Sequence, residues 1–437
     1  MGFLLALALT VGGWRLAVDG SLPLASRSLP PTASSQPPTG TTVTLLHFSD
    51  YHSHAQPFYT DQGERGGIAR AIGYLEQQKR GGALVFSGGD MINKGAPAWS
   101  DQYQCAEWPW FNGIVSAMAF GNHEPDYGRE AFERCRKQLQ YPILSANTPG
   151  FQPYVVLKSK GARIGVFALA GDDFPKLVKG YAFSDSVAAA RKVVATLRDQ
   201  ERVDAVILIG HQSTEDDYEL ARAVPGIDLI FGSHSHLERA LTQIPDTKTA
   251  FVSPGQYLTN ISRVELTIDE KRVQHVRGGL IPVEGSMPVS ARIEKRVAKM
   301  QIDLERAHPD LFKPIGKLET PMSTETVAQR ALLAMRDAAK ADVAVSTKSS
   351  FRGALPAGAL TLESLRAALP YDNELVVCTM TDTQLRGILD DAYVTPFEPK
   401  SQYRVATTDY LAYVAHKLPS CEQTGMRVRE ELRKRLE

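Results

Sequence analysis

Cysteine is scarce in this chain: the 437 residues hold four, Cys105, Cys135, Cys378 and Cys421. These are too few and too scattered for a disulfide framework or a CxxC metal site. In an oxidising compartment Cys105 and Cys135, which flank one motif in one domain, are the expected bridge. Net charge is missing too. With 49 basic residues against 49 acidic ones, no surface-wide field draws a nucleic-acid polymer or an anionic membrane, so any anion preference must be local. No apolar run is long enough for a transmembrane helix, and no internal repeat marks a solenoid or propeller.

What is present is ordinary globular material, 43% hydrophobic and 8% aromatic, in a chain too long for one core, so two domains are expected. The apolar opening MGFLLALALTVGGW suits the core of a secretory signal, but its first basic residue, Arg15, comes after the apolar run. An uncleaved anchor or a merely apolar tail therefore stay open beside export to a periplasmic or extracellular location. The Pro/Ser/Thr-rich stretch SRSLPPTASSQPPTG reads as a linker, and folded structure is expected from Thr41.

From there to about Val283 one grammar recurs: a short apolar, β-prone run ends abruptly in Gly, Asp, Asn or His. TVTLLHF precedes Ser49-Asp50, ALVF precedes SGGD, AMAF precedes GNH, AVILI precedes GH and IDLIF precedes GSH. Helical patterns over 67–80 and 186–200 lie between some of them. Such alternation predicts an α/β layered domain with ligand loops at the carboxyl ends of strands. Past Ser290 the apolar positions Ile293, Val297, Met300 and Leu304 predict an amphipathic connecting helix. A second, smaller α/β region follows, with a helix over 325–341, strands DVAVS and ELVVCTM and a last helix over 426–437. The expected divisions are 1–25 apolar, 26–40 linker, 41–285 first domain, 286–311 connector and 312–437 second domain.

The strand ends supply Asp50, His52, Asp90, Asn122, His123, His211, His234 and His236. All are oxygen or imidazole donors and none is a thiolate, which suits manganese, zinc or iron rather than calcium or an iron–sulfur cluster. So many donors exceed the needs of one ion, and two divalent ions bridged by Asp90 are the economical arrangement. Two such ions carry more charge than Asp50 and Asp90 offset, which favours hydrolysis of an anionic ester. Singly, each histidine is more often a core or surface residue, and GD, GNH and GxH are common turn fragments. Their joint placement after successive strands is what carries the reading. His47, inside an apolar strand, is expected to pack; His54 is expected to line the pocket; His275, His308 and His416 receive no role.

The ordered set FSDYH, GGD, GNHEPD, GHQ and GSHSH resembles the calcineurin-like metallophosphoesterases, and within them the 5′-nucleotidase/UDP-sugar hydrolase family. That resemblance implies a four-layer αββα catalytic domain followed by a 5′-nucleotidase-like substrate domain. It also implies that Asp50, His52, Asp90 and His236 hold one metal and Asp90, Asn122, His211 and His234 the other. His123, oriented by Asp126, would act as catalytic imidazole. The C-terminal stretch AVSTKSSFRGALPAGALTLESLRAALPYDNELVVCTMTDTQL is similar to the family's substrate domain, which makes Arg352 a phosphate contact, Tyr371 a base-stacking face and Asn373 a nucleoside contact.

Three features depart from the family pattern. Thr347-Lys348-Ser349-Ser350 replaces Asn-Gly-Gly-Gly, a segment between Leu389 and Tyr403 is shortened, and after TTDYLA the other half of the aromatic clamp is absent. The expected function is two-metal hydrolysis of a small phosphate ester, a nucleotide first. Phosphodiester or sulfur-ester hydrolysis on the same scaffold, or metal binding without catalysis, are the alternatives.

Overall fold

The computed structural model describes residues 40–95, 97–418 and 420–436; the expectations for the apolar segment and linker over 1–39 fall outside them. Two six-stranded sheets form the first domain. One runs in spatial order Arg272–Pro282, Asn260–Asp269, Thr41–Phe48, Leu84–Ser87, Ala117–Ala119, Ile143–Leu144. The other runs Glu238–Gln243, Ala250–Pro254, Leu229–Phe231, Ala205–His211, Ala162–Ala170, Tyr154–Ser159. In the first sheet the strands from Thr41–Phe48 through Ile143–Leu144 pair in parallel, and Asn260–Asp269 and Arg272–Pro282 add antiparallel pairs on one side. In the second sheet four parallel central strands carry an antiparallel strand at each edge.

Strand periodicity explains why the motif-bearing runs are apolar throughout. In Thr41–Phe48, Val43 and Leu45 enter the core between the sheets, whereas Leu46 and Phe48 face the helix Ile68–Arg80. In Ala205–His211, Ile207 and Ile209 face the other sheet, while Val206 and Leu208 pack on residues of the helices Ser186–Ala195 and Thr214–Ala223. Both faces of both sheets are thus buried, giving the expected four layers of helix, sheet, sheet and helix. His47 shares parity with Leu45 and is fully buried, its ring stacked on Phe231 at 4.8 Å. The pattern over 186–200 divides into an α-helix and a wider turn, Thr196–Gln200.

The connecting helix Ala291–Ala307 buries Ile293, Val297 and Leu304 in the core that also holds Ile68 and Leu75. It therefore completes the outer layer of the first domain. The second domain is a five-stranded sheet in the order Ala392–Val394, Val343–Thr347, Gln402–Thr408, Glu374–Thr381, Cys421–Arg427, with the helices Thr324–Ala338 and Val428–Leu436 in its core. Three of these strands, Ala392–Val394, Gln402–Thr408 and Cys421–Arg427, were not among those the sequence reading expected. The last, CEQTGMR, is a polar edge strand, and it takes the first residues of the helix expected from Met426.

The cysteine reading needs correction. Besides Cys105–Cys135, Cys378 and Cys421 are bridged, and all four cysteines are paired. Strand pairing sets Cys378 opposite Cys421 at a Cα separation of 4.0 Å, a juxtaposition that a sequence separation of 43 conceals.

Candidate metal centre and active-site cavity

The loops that follow the parallel strands converge at one end of the sandwich. Gly89, with φ of 94°, lets the SGGD loop pass against the GNH loop; a β-carbon there would lie 2.9 Å from the Ala119 carbonyl. Asp50, His52, Asp90, His234 and His236 all have positive φ between 49° and 61°. For residues other than glycine this is strained backbone, held by the surrounding fold and concentrated where function needs it.

Two groups of donors result. Asp50, His52, Asp90 and His236 form one and Asp90, His211 and His234 the other, each with ligand atoms within 4.8 Å of one another. Asp90 belongs to both. Asn122 stands beside the second group, its Oδ1 3.2 Å from His211 Nε2, and His211 Nε2 is 3.1 Å from Asp90 Oδ2.

The imidazoles are oriented from behind. His52 Nδ1 donates to the Ile92 carbonyl at 3.1 Å and His211 Nδ1 to that of Gly88 at 2.6 Å, which leaves each Nε2 lone pair facing the cluster. His234 does the reverse, donating from Nε2 to Asp173 Oδ2 at 2.9 Å and leaving Nδ1 free.

Such a donor set fits divalent cations. Asp50 Oδ1 is buried and accepts no hydrogen bond of acceptable geometry, although His236 Nε2 is 3.1 Å away. His52 Nε2 and His236 Nε2 face each other at 3.1 Å, a meeting of nitrogens that a shared cation would reconcile. Burial lowers the His52 imidazole to about 3, keeping it neutral, as a ligand must be. Burial also opposes the His211 cation, but the charges of Asp90, Asp50 and Glu124 and the hydrogen bond to Asp90 together outweigh it and raise that ring to about 10, so that a metal bound at Nε2 would displace a proton. The same carboxylate charge would draw a metal ion.

His123 stands beside the clusters. Its backbone N–H donates to Asp90 Oδ1 at 2.8 Å and its Nδ1 to Asp126 Oδ2 at 2.8 Å. Burial disfavours its cation, yet Asp90 and Asp126 overcome that and raise it to about 10.

Across a cavity of about 380 Å³ from His123 lie Arg352, Tyr371 and Asn373 of the second domain, on the same lining as Asp90 and Asn122. Arg352 Nη1 donates to Gln256 Oε1 at 2.9 Å and contacts His236 Nδ1, and its Nη2 donates to the Tyr371 hydroxyl at 3.1 Å. His54 stacks on Tyr257 at 3.6 Å and lines a neighbouring cavity instead. A larger cavity of about 1070 Å³, at the opposite ends of the strands by Val203 and Asp228, carries no donor cluster among the described residues.

Two residues escaped the sequence reading. The buried Glu124 carboxylate accepts from the backbone N–H groups of Asp90, Met91 and Gly121 at 3.0, 2.8 and 2.6 Å. It thus ties the two motif loops together. Its position inside GNHEPD was the available signal. Asp173 orients His234 from a loop with no motif, and only the fold brings it there.

Residues 43–238 match the family model for calcineurin-like phosphoesterases, and residues 319–397 match the 5′-nucleotidase C-terminal domain. A 5′-nucleotidase of Vibrio cholerae is 26% identical over 431 residues, covering 82% of this chain and 76% of that protein. Protein UshA of Escherichia coli is 25% identical over 417 residues, covering 78% and 74%. Among solved structures, the 5′-nucleotidase precursor of Thermus thermophilus superposes with a TM-score of 0.72 at 20% identity, over 91% of this chain and 96% of that one. The Thermus thermophilus sulfate thiohydrolase SoxB gives 0.74, also at 20% identity, over 92% and 95%. At that identity the structural likeness speaks for the fold.

Proposed function

The chain belongs to the calcineurin-like phosphoesterases, with a 5′-nucleotidase C-terminal domain behind the first domain, and from that premise we propose that it hydrolyses small phosphate esters, nucleotides foremost, with two divalent ions. One observation carries the reading: two donor groups share Asp90 and face Arg352 across a single cavity.

Asp50, His52, Asp90 and His236 would hold one ion and Asp90, Asn122, His211 and His234 the other, with manganese, zinc or iron compatible with these donors. When bound, such ions supply an activated water and neutralise phosphoryl charge. The chain's own groups do the rest. Arg352 offers a fork of donors to phosphate oxygens. It contacts His236 Nδ1, and turning from that ring into the cavity would free His236 to present Nε2 as a ligand. His123 sits beside Asp90 with Asp126 behind it, placed to hold a proton at Nε2 for the departing ester oxygen. Asn373 and Tyr371 line the wall where the remainder of the ester would lie.

The two disulfides fit an oxidising compartment, periplasmic or extracellular, and no helix among the described residues is long and apolar enough to cross a membrane. The deciding experiment is metal analysis of the purified protein followed by assay with added Mn²⁺ on a chromogenic phosphate monoester and a nucleotide panel. Chelation should abolish phosphate release and Mn²⁺ restore it. Two bound ions per chain without hydrolysis of any ester would sink the reading.

A further inference from the structure

The cavity of about 1070 Å³ at the far end of the first domain is lined by Val203, Asp228 and Thr249, which stand just before the strands Ala205–His211, Leu229–Phe231 and Ala250–Pro254. The first two of those strands run on to His211 and to the loop of His234, so this hollow and the donor clusters lie at opposite ends of the sheet. Its other side is closed by Lys271 and Arg272, at the turn between Asn260–Asp269 and Arg272–Pro282. Five exposed basic side chains ring it: Arg202, Arg222, Lys248, Lys271 and Arg272. No carboxylate pairs with any of them among the described residues. A sixth, Arg198, is committed to the wall, its Nη2 donating to Asp228 Oδ2 at 2.5 Å and to the Gly226 carbonyl at 2.8 Å. Besides Asp228 the acids on the lining are Asp199 and Asp246, so the rim stays positive; Asp269 and Glu270 of the hairpin lie outside the lining.

Scattered cations on a solvated face need no explanation. Five unpaired ones around a hollow at one end do, in a chain whose charges sum to zero. The described chain starts at Gly40, packed against Ile268 and Asp269 at the foot of that same hairpin, and Thr41 pairs with Ile268. The linker over 26–40 and the apolar run MGFLLALALTVGGW are therefore joined to the domain beside the basic rim. We propose that this basic end docks on the anionic phospholipid headgroups of a membrane surface and leaves the donor clusters facing away from it.

The apolar run is too short to span a bilayer. A single short apolar anchor holds weakly and reversibly, and stable attachment takes a second signal, for which a patch of basic side chains serves. Each Lys or Arg held against an anionic leaflet strengthens binding about fivefold. Arg202, Arg222 and Arg272 offer guanidinium forks that match phosphate oxygens, and the hollow between them admits a protruding headgroup. The five cations belong to neither donor group nor to the lining that holds Arg352. Docking there leaves the other cavity open to small molecules from solution, whatever reaction that cavity performs.

The test is co-sedimentation of the full-length protein with vesicles of phosphatidylcholine alone and of phosphatidylcholine with about 30 mol% phosphatidylglycerol. Wild type should bind the anionic vesicles at least about tenfold more tightly at about 50 mM KCl, and about 500 mM KCl should remove the difference. Replacing three cations together, Arg202→Gln, Lys248→Gln and Lys271→Gln, should lower affinity for the anionic vesicles at least about tenfold and leave affinity for phosphatidylcholine unchanged. An unchanged urea midpoint and Mn²⁺ content establish that the triple variant is intact; if it is not, Lys248→Gln alone, with an expected loss of about fivefold, decides in its place. Equal binding of the two vesicles by wild type overturns the proposal, as does an intact variant that binds the anionic vesicles as wild type does. Release of wild type from the anionic vesicles by inorganic phosphate at constant ionic strength also overturns it, since the hollow would then be a site for a free anion.

Discussion

Asp126 stands behind His123, its Oδ2 2.8 Å from the ring Nδ1, so that Nε2 is the nitrogen left to meet a substrate. His123→Ala should lower turnover by at least about 10²-fold while leaving metal content intact, and Asp126→Asn should cost about 10- to 100-fold. Metal analysis beside steady-state kinetics checks both. Loss of bound metal from His123→Ala would instead make His123 a ligand or a prop.

Asp173 occupies the corresponding place behind His234. Removing its charge in Asp173→Asn should free the His234 ring to choose the wrong tautomer and weaken Mn²⁺ binding at one of two sites by about 10- to 100-fold. Calorimetric titration of the apoprotein reads this directly. Two sites of wild-type affinity would show that His234 needs no orienting partner.

Arg352 is the second domain's cation at the site, hydrogen-bonded to Gln256 and Tyr371. Arg352→Ala should raise KM for phosphate monoesters about tenfold or more through the loss of charge-assisted hydrogen bonds. Unchanged KM for every good substrate would disown the role.

Glu107 gives the protein a pH-dependent stability apart from catalysis. Its carboxylate is fully buried, accepting from Trp99 Nε1 at 2.5 Å and the Tyr51 hydroxyl at 3.1 Å. Burial raises it from the ordinary 4.5 to about 7, and those hydrogen bonds only partly oppose the rise. A folded value above the unfolded one means the folded protein binds this proton more tightly. The contribution is therefore full below pH 4.5 and lost as pH climbs through 7, by up to about 3 kcal/mol. Glu107→Gln keeps the shape without titrating, so the fall in urea midpoint between pH 5 and pH 8 should be smaller than in wild type. Equal falls in the two proteins would contradict this.

Much of the fold and of the gathering of candidate donors was legible because both depend on local regularities. Runs such as AVILIGH bury both faces of a strand and then stop at a turn residue, so the strand and the position of its terminal donor are written together. The four layers follow from that alternation, and the donors gather because parallel strands end on the same side. Less was legible in the second domain. The edge strand Cys421–Arg427 has no apolar run, and its register against Glu374–Thr381, hence the Cys378–Cys421 bridge, is set by pairing between distant segments.

The sequence alone determined which residue types end the strands, and with them the class of chemistry, because imidazole and carboxylate donors are a local property of each loop. Tertiary structure alone decided which of those donors share Asp90, which nitrogen of each imidazole is free, that Glu124 ties two motif loops together, and that Asp173, Leu177 and Tyr410 reach the same cavity. Those are distances and orientations between segments remote in the chain, fixed only when both sheets pack and the second domain brings Arg352 over the loops that carry the metal donors.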